Sequence, residues 1–117
     1  MVKRNNKQTK YIGFEEFETR CKDIAKELLS NKNIKDIYGV PRGGKMMATR
    51  ISYLTGLIET PAPNAKHTAI LDDCIDSGTT RHSFESFPYF FALVDKQFEE
   101  IKEWVMFWWE EDATNPD

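Results

Sequence analysis

The sequence predicts an α/β domain in which a mostly parallel central sheet is flanked by helices. Two observations support this class. Apolar residues at helical spacing alternate along the chain with short apolar runs typical of buried strands. Two polar loops that contain glycine, at 40–44 and 72–80, each follow directly on such a run. Because ligands of these sheets bind beyond the carboxyl ends of the strands, we expect the two loops to share one ligand.

The first half of the chain predicts a helix, a strand and a second helix. Apolar residues spaced by three and four form one face of a helix over roughly 14–30. They are Phe14, Phe17, Cys21, Ile24 and Leu28. Asn31 indicates the end of that helix, and the run 34–40 predicts a strand that the turn PRGG ends. Apolar residues between 47 and 54 predict the second helix, with Gly56 as its C-terminal cap.

The second half predicts mostly strands. Apolar runs indicate strands at 67–71, 89–96 and 101–109, with a short one at 57–60. A helix is expected over 79–87, between Gly78 and Pro88. The chain therefore alternates between the two kinds of element, as an α/β fold requires.

Length and composition predict one domain over residues 1–117, with a basic tail at 1–10 and an acidic, frayed tail at 111–117. The net charge of −3 argues against a dedicated nucleic-acid binder. No apolar run approaches the ~20 residues of a membrane span, and no apolar segment follows the basic start. We therefore expect a cytoplasmic protein whose cysteines are reduced.

Three carboxylates stand close together at Asp72, Asp73 and Asp76. Adjacent carboxylates repel, so the first two favour a cation or a polyol, such as ribose hydroxyls with Mg²⁺. The alternative is a pair of solvated turn residues. Asp76 lies on the loop, where it could act as a general base for a ring N–H or simply cap the next helix.

Small donor-rich residues follow the carboxylates. Ser77, Gly78, Thr79 and Thr80 precede the predicted helix, so free backbone N–H groups and hydroxyls favour a phosphate. An ordinary helix N-cap is the alternative. The loop at 40–44 offers the guanidinium of Arg42 and glycine N–H groups to a second anion, or else forms a tight turn with a surface arginine.

The last third of the chain carries candidates for binding a heterocycle. Trp104, Trp108 and Trp109 offer flat faces for a base, although packing at the domain edge is the alternative for at least one of them. Lys96 ends the strand predicted at 89–96 and could bind a carbonyl oxygen of a base or reach solvent.

These motifs resemble those of a known family. AILDDCIDSGTT (69–80) resembles the phosphoribosyl-pyrophosphate (PRPP) signature of type I phosphoribosyltransferases, and IYGVPRGG (37–44) resembles their pyrophosphate loop. The chain is most similar to the bacterial xanthine-guanine group, from Tyr11 to about Glu110. The resemblance implies Mg²⁺-dependent transfer of phosphoribose from PRPP to a 6-oxopurine, with release of pyrophosphate, in purine salvage. It also implies a homodimer.

The resemblance assigns roles on the sugar side of the reaction. Asp72 and Asp73 match the acids that hold the ribose hydroxyls and Mg²⁺, and the loop 76–80 matches the 5′-phosphate cradle. Arg42 and Gly43 match the pyrophosphate loop. That loop often carries a non-proline cis peptide, which here would follow Pro41.

On the base side, Asp76 matches the catalytic acid placed near N7 of a 6-oxopurine, and Lys96 matches the lysine that reads the 6-oxo group. A minimal C-terminal hood is implied, in which Trp104 stacks on the purine and the backbone of Val105 reads its edge. Cys74 replaces an aliphatic residue under the purine. Finally, Glu110 matches an acid that can help hold a second Mg²⁺.

One departure leaves a second function open. The family usually carries a long mobile lid between its two motifs, and here only residues 58–69 connect them. Because a lid sequesters the reacting centre, its loss favours a PRPP- or nucleotide-binding regulatory module without significant turnover.

Overall fold

Two parallel sheets form the framework of the chain. The computed structural model describes residues 8–110, so 1–7 and 111–117, which hold most of the two predicted tails, lie outside the described residues. The larger sheet has the strand order β3 (Ile58–Glu59), β2 (Asp36–Gly39), β4 (Thr68–Ile75), β5 (Phe90–Asp95), and all its pairings are parallel. The smaller sheet pairs β1 (Thr9–Ile12) with β6 (Trp104–Phe107), also in parallel. The predicted parallel architecture is therefore confirmed.

The helices alternate with the strands as predicted. They are α1 (Phe14–Ser30), α2 (Gly43–Thr55), α3 (Thr79–Ser83) and α4 (Lys96–Glu99), followed after β6 by a 3₁₀ turn (Trp108–Glu110). The two long helices pack on each other, α2 against β2 and β4, and α1 against β5. Among the described residues, no helix is long and apolar enough to cross a membrane.

The apolar face predicted for the first helix forms part of the core. Phe17, Cys21, Ile24 and Leu28 are buried on α1, whereas Phe14 at its start is 55% exposed. The predicted ends are also confirmed. Asn31 caps α1 through an N–H to the Leu28 carbonyl at 3.2 Å. In turn, Gly56 caps α2 at φ 80°, a left-handed conformation that glycine tolerates.

The helix predicted at 79–87 is shorter than expected. It ends after Ser83, and turns follow, with Phe84 N–H bonded to the Arg81 carbonyl at 3.1 Å. The ring of Phe84 lies 6.1 Å from that of Tyr38 and 6.4 Å from that of Phe90. Packing these rings on the sheet competes with continued helix, so tertiary contacts override the local pattern.

Two predicted strands are also too long. The strand at 89–96 ends at Asp95, whose Oδ1 accepts from the N–H groups of Gln97 and Phe98 at 3.0 and 3.1 Å and so caps α4. Lys96 therefore begins a helix and does not end a strand. The run at 101–109 contributes only β6, because Trp108 turns into the 3₁₀ segment.

One strand falls where the basic tail was predicted. Thr9 and Lys10, assigned to the tail at 1–10, belong to β1. This strand pairs with β6, from Thr9 opposite Trp104 to Ile12 opposite Phe107. We call β1, α4, β6 and the 3₁₀ turn the hood.

Candidate active site

The two polar loops meet at one edge of the larger sheet, as predicted. β2 and β4 are neighbours in register from Asp36 opposite Thr68 to Gly39 opposite Leu71, and Val40 N–H donates to the Leu71 carbonyl at 2.8 Å. A Cβ added to Gly43 would stand 1.7 Å from Asp73 Oδ2, so only glycine allows this approach. We call residues 41–44 and 72–80 together the loop edge.

The peptide bond between Pro41 and Arg42 is cis, as the resemblance predicted. Arg42 is exposed at the N-cap of α2. Its guanidinium has no hydrogen-bond or ion-pair partner among residues 8–110, so an anion can take it without displacing a protein group.

Asp72 and Asp73 lie on β4 itself, because this strand runs on to Ile75. Asp72 is only 5% exposed, and its Oδ1 accepts the Asp73 N–H at 2.9 Å. Burial and the neighbouring Asp73 charge raise the pKa of Asp72 to about 7. Asp72 therefore resists ionisation, and a cation or hydroxyl donors bound at the pair would favour its charged form.

The carboxylates fit Mg²⁺ chemically, since both supply hard oxygen donors. Within the described part of the chain, no group of three or more His, Cys, Asp or Glu side chains is placed to hold a metal ion. Oxygens of a bound ligand or water would therefore have to complete the coordination shell, which is how Mg²⁺ usually binds at phosphate sites.

The loop after the carboxylates is shaped around Gly78. This residue has φ 92°, and the Ser77 and Thr79 hydroxyls lie 2.9 Å apart. A cavity of about 90 Å³ lies against Asp72, Cys74 and the loop 75–81. Because α3 has only five residues, its dipole adds less than a long helix would. The loop N–H groups and hydroxyls are the main donors here.

A larger cavity of about 620 Å³ opens beside the loop edge. Its lining consists of Asp76, Lys96, Gln97, Glu100, Ile101, Lys102 and Trp104. The Lys96 ammonium lies 3.4 Å from Asp76 Oδ1, and the lysine side chain is 13% exposed against 72% for the aspartate. The volume is in the range of small-molecule sites. Three predicted residues from separate elements, Asp76, Lys96 and Trp104, thus surround one space.

The remaining candidates line an adjoining cavity of about 160 Å³. It brings Asp73 together with Cys74, Val105 and Glu110, beside the lysine and tryptophan of the larger cavity. Burial raises the pKa of the Cys74 thiol to about 12, so this residue stays a neutral wall. Glu110 Oε1 already accepts the Phe107 N–H at 2.9 Å, which competes with the predicted role as a metal ligand.

The three tryptophans divide between the two roles considered for them. Trp104 is 38% exposed and lines both cavities. Trp108 and Trp109 instead pack edge-on against Phe17, with ring centroids 5.7 and 5.3 Å away. The packing interpretation therefore describes those two, and only Trp104 faces the site.

No protein-family model and no curated protein matches the sequence. Solved structures match the fold. The chain superposes on the purine phosphoribosyltransferase from Pyrococcus horikoshii Ot3 with a TM-score of 0.69 at 18% identity, over 88% of this chain and 94% of that one. It superposes on the Helicobacter pylori xanthine-guanine-hypoxanthine phosphoribosyltransferase with a TM-score of 0.69 at 16% identity, over 94% and 97%.

This chain has the type I phosphoribosyltransferase fold. The predicted fold class is thereby confirmed, with the loop edge at the carboxyl ends of the parallel strands and a small hood beside it. At these identities the likeness concerns the fold, and the roles of individual residues remain predictions.

The segment that stands in the place of the phosphoribosyltransferase lid is held at the amino ends of β2 and β4, opposite the loop edge. Thr68 Oγ1 donates to Asp36 Oδ1 at 2.6 Å and accepts the Asn64 N–H at 2.9 Å, while His67 Nδ1 lies 3.1 Å from the same carboxylate. Asp36 and Thr68 begin their strands. The connection at 60–67 is therefore tied down at the amino ends of the strands, away from the loop edge.

Apart from Lys96, the sequence does not indicate the residues that α4 and its C-terminal flank contribute to the site. Gln97, Glu100 and Lys102 line the larger cavity, and Gln97 Nε2 donates to the Asp76 carbonyl at 3.2 Å. A helix of four residues carries no periodic signal. The available signal was Asp95, an aspartate in a good N-cap position at the end of an apolar run.

Proposed function

We propose that this protein is a 6-oxopurine phosphoribosyltransferase, which moves phosphoribose from PRPP to guanine, xanthine or hypoxanthine and releases pyrophosphate. The observation that carries the proposal is the juxtaposition of Asp76 and Lys96, 3.4 Å apart where the phosphate loop meets the larger cavity. A protein that only held a sugar phosphate would not need a nearly buried lysine in a neighbouring cavity.

On the sugar side, the proposal uses the charge pattern of the loop edge. The carboxylates of Asp72 and Asp73 bind the ribose hydroxyls, and the N–H groups and hydroxyls of 76–80 bind the 5′-phosphate. The guanidinium of Arg42, which has no partner within residues 8–110, and the backbone of Gly43 bind the pyrophosphate. These groups are fixed before the substrate arrives, so they stabilise the departing pyrophosphate at little cost in reorganisation.

Magnesium belongs to the proposal as a cofactor. Asp73 and Asp72 would hold it together with substrate oxygens, with Glu110 near a second ion. When bound, it supplies positive charge that offsets the charge of the pyrophosphate leaving group.

On the base side, Lys96 donates to the 6-oxo oxygen, and Trp104 stacks on the ring that Val105 and Cys74 border. A purine nitrogen forms its bond to C1 of the ribose as the bond from C1 to pyrophosphate breaks. Asp76 accepts or orients the N7 proton of the base during this exchange. Holding base and sugar in contact contributes much of the acceleration.

The family resemblance and the fold support three further parts of the proposal: a role in purine salvage, a cytoplasmic location and a homodimeric state.

A second function is favoured by one observation. Because the connection at 60–67 is tied down away from the site, a PRPP-binding regulatory module without turnover would also fit the structure.

An end-point assay separates the two functions. The protein is incubated with Mg²⁺, PRPP and one of guanine, xanthine, hypoxanthine or adenine, and the nucleotide is resolved by chromatography. We expect a 6-oxopurine nucleotide and none from adenine. PRPP binding by calorimetry, without product from any base, would identify the regulatory module. Absence of both binding and product would refute both functions.

A further inference from the structure

Gln97 joins the hood directly to the loop edge. Its Nε2 donates to the Asp76 carbonyl at 3.2 Å, and a Cβ added to Gly78 would lie 3.9 Å from the same nitrogen. The side chain also stands between two cavities. It lines the 620 Å³ cavity on one side and, on the other, a cavity of about 490 Å³ beside Arg81 and Phe90.

The short helix that carries Gln97 is held on several sides. Asp95 Oδ1 accepts the Gln97 N–H at 3.0 Å, and the Asp95 N–H donates to Glu99 Oε2 at 3.1 Å. Both oxygens of Glu99 accept from the Arg20 guanidinium at 3.0 Å, and the same guanidinium bonds the Leu93 carbonyl at 3.0 Å. Although α4 is a single turn, Gln97 therefore projects from a fixed base.

The bond to the Asp76 carbonyl has a consequence for the next N–H. A trans peptide is planar, so its C=O and N–H point in opposite directions. Holding the Asp76 carbonyl towards α4 thus turns the Ser77 N–H away from α4. Within residues 8–110, no group accepts from the backbone N–H of Ser77 or Gly78. These two donors are available to a ligand.

Within residues 8–110, no backbone hydrogen bond holds the carbonyl or the N–H of the Asp76–Ser77 peptide. Gly78, with φ 92°, gives the loop access to conformations closed to other residues. The Ser77 side chain is occupied locally with Thr79. Gln97 is the described side chain that bonds the carbonyl of this peptide.

We propose that Gln97 is a positioning residue that fixes the Asp76–Ser77 peptide and so aims the Ser77 N–H at the sugar phosphate. The inference rests on the proposed function, because it takes PRPP as the ligand of the loop at 76–80. It assigns Gln97 to PRPP affinity and not to recognition of the base, although the residue lines the larger cavity.

The test is Gln97→Met, which keeps the length of the side chain and removes its donor. The control is Phe98→Ala on the same helix, whose side chain is 85% exposed. PRPP affinity is measured by calorimetry with Mg²⁺, and the KM for the purine is measured separately. Gln97→Met should weaken PRPP binding about threefold to tenfold, the size expected for one exposed hydrogen bond. Its KM for the purine and all values for Phe98→Ala should match the wild type.

Unchanged PRPP affinity in Gln97→Met would overturn the inference, and so would a raised KM for the purine alone, since Gln97 would then contact the base. A second measurement needs no ligand. The amide signals of Ser77 and Gly78 in ¹⁵N NMR spectra should broaden or shift in Gln97→Met, and identical spectra would also overturn the inference. A wild type that binds PRPP without turnover refutes only the proposed enzyme, and one that binds no PRPP refutes both.

Discussion

The loop edge and the hood enclose the same site but are built in opposite ways. The loop edge comes from two continuous stretches on central strands, and its key groups are held close, with Asp72 5% exposed and Gly43 in contact with Asp73. The hood combines a four-residue helix with two four-residue strands and leaves Trp104 and Phe98 exposed by 38% and 85%. In the proposed function, the charged groups that bind the sugar and phosphates therefore lie on the central strands, and recognition of the base is assigned to the smaller and more exposed hood.

Asp76→Asn should have the largest effect, because Asp76 is where the two regions meet. We expect turnover to fall about 10²–10⁴-fold, the usual range for a lost general base, while PRPP binding is spared. Steady-state rates with guanine and calorimetry with PRPP measure the two quantities. An unchanged rate would show that Asp76 is not a general base and that the proton transfer does not depend on this contact between the loop edge and the hood.

Gly43→Ala tests the loop edge alone. The added methyl would stand 1.7 Å from Asp73 Oδ2, so the loop or the carboxylate must move. We expect a loss of about 1–3 kcal/mol in the free energy of unfolding, with a sharp fall in PRPP affinity. Gly13→Ala is the matched control, since its Cβ would meet a side chain at 3.4 Å, an ordinary contact. Equal effects of the two variants in urea unfolding would mean that Gly43 is not constrained.

Asp72→Asn tests whether burial of a carboxyl group at the loop edge makes the stability of the protein depend on pH. In the folded protein the pKa of Asp72 is raised from 3.8 to about 7, mainly by burial. Its contribution to stability is therefore complete below about pH 4 and is lost as the pH rises through 7. The free energy of unfolding of the variant should exceed that of the wild type at pH 8 by up to about 4 kcal/mol, and this difference should close towards pH 4.

Chemical unfolding of the ligand-free proteins at several pH values checks this expectation. The same variant should bind PRPP more weakly, because the carboxylate that destabilises the folded protein is the group proposed to bind the ribose hydroxyls. A pH-independent difference between the two proteins would mean that Asp72 titrates normally.

Trp104→Leu tests the hood and should give the smallest change. Loss of stacking on the base predicts a KM for the purine raised about twofold to tenfold, with PRPP affinity unaltered. Tyr53→Leu is the control, because Tyr53 is exposed on α2 far from the site, whereas Phe107 on the same strand as Trp104 is buried. The control should leave both values unchanged. A change in PRPP affinity in the Trp104 variant would show that β6, and not only Gln97 on α4, affects binding at the loop edge.

The same contrast explains what the sequence could predict. The loop edge could be predicted because its residues are consecutive. Residues 41–44 and 72–80 each follow directly on an apolar run that predicts a strand, so one stretch of sequence shows the strand, the turn and the polar groups. The two stretches are expected to meet because both follow directly on strands of a parallel sheet, whose carboxyl ends share one side. The length of the helix after Gly78 was overestimated, since packing of Phe84 against the sheet is not encoded in local spacing.

The hood was harder to predict for a physical reason. β1 is stabilised by pairing with β6, which lies more than ninety residues later in the sequence. The residues of β1 therefore carry no local sign of their partner. Lys96 lines the larger cavity, but the sequence pattern places it on a strand, because a four-residue helix has too few turns to show a period. The residue pattern alone offers no reason to assign different roles to Trp104, Trp108 and Trp109. The 3₁₀ turn that begins at Trp108 directs Trp108 and Trp109 against Phe17, and Trp104 stays at the site.

The ties at Asp36 and Thr68 carry a consequence for the chemistry of the open site. With the connection at 60–67 bound to the far edge of the sheet, that segment cannot shield the sugar carbon from water. In the proposed reaction, water would then compete with the purine for the same electrophile, and each hydrolysis would convert one PRPP into ribose 5-phosphate and pyrophosphate. The ratio of ribose 5-phosphate to nucleotide formed is thus a direct measure of how efficiently this small scaffold couples consumption of its donor to synthesis.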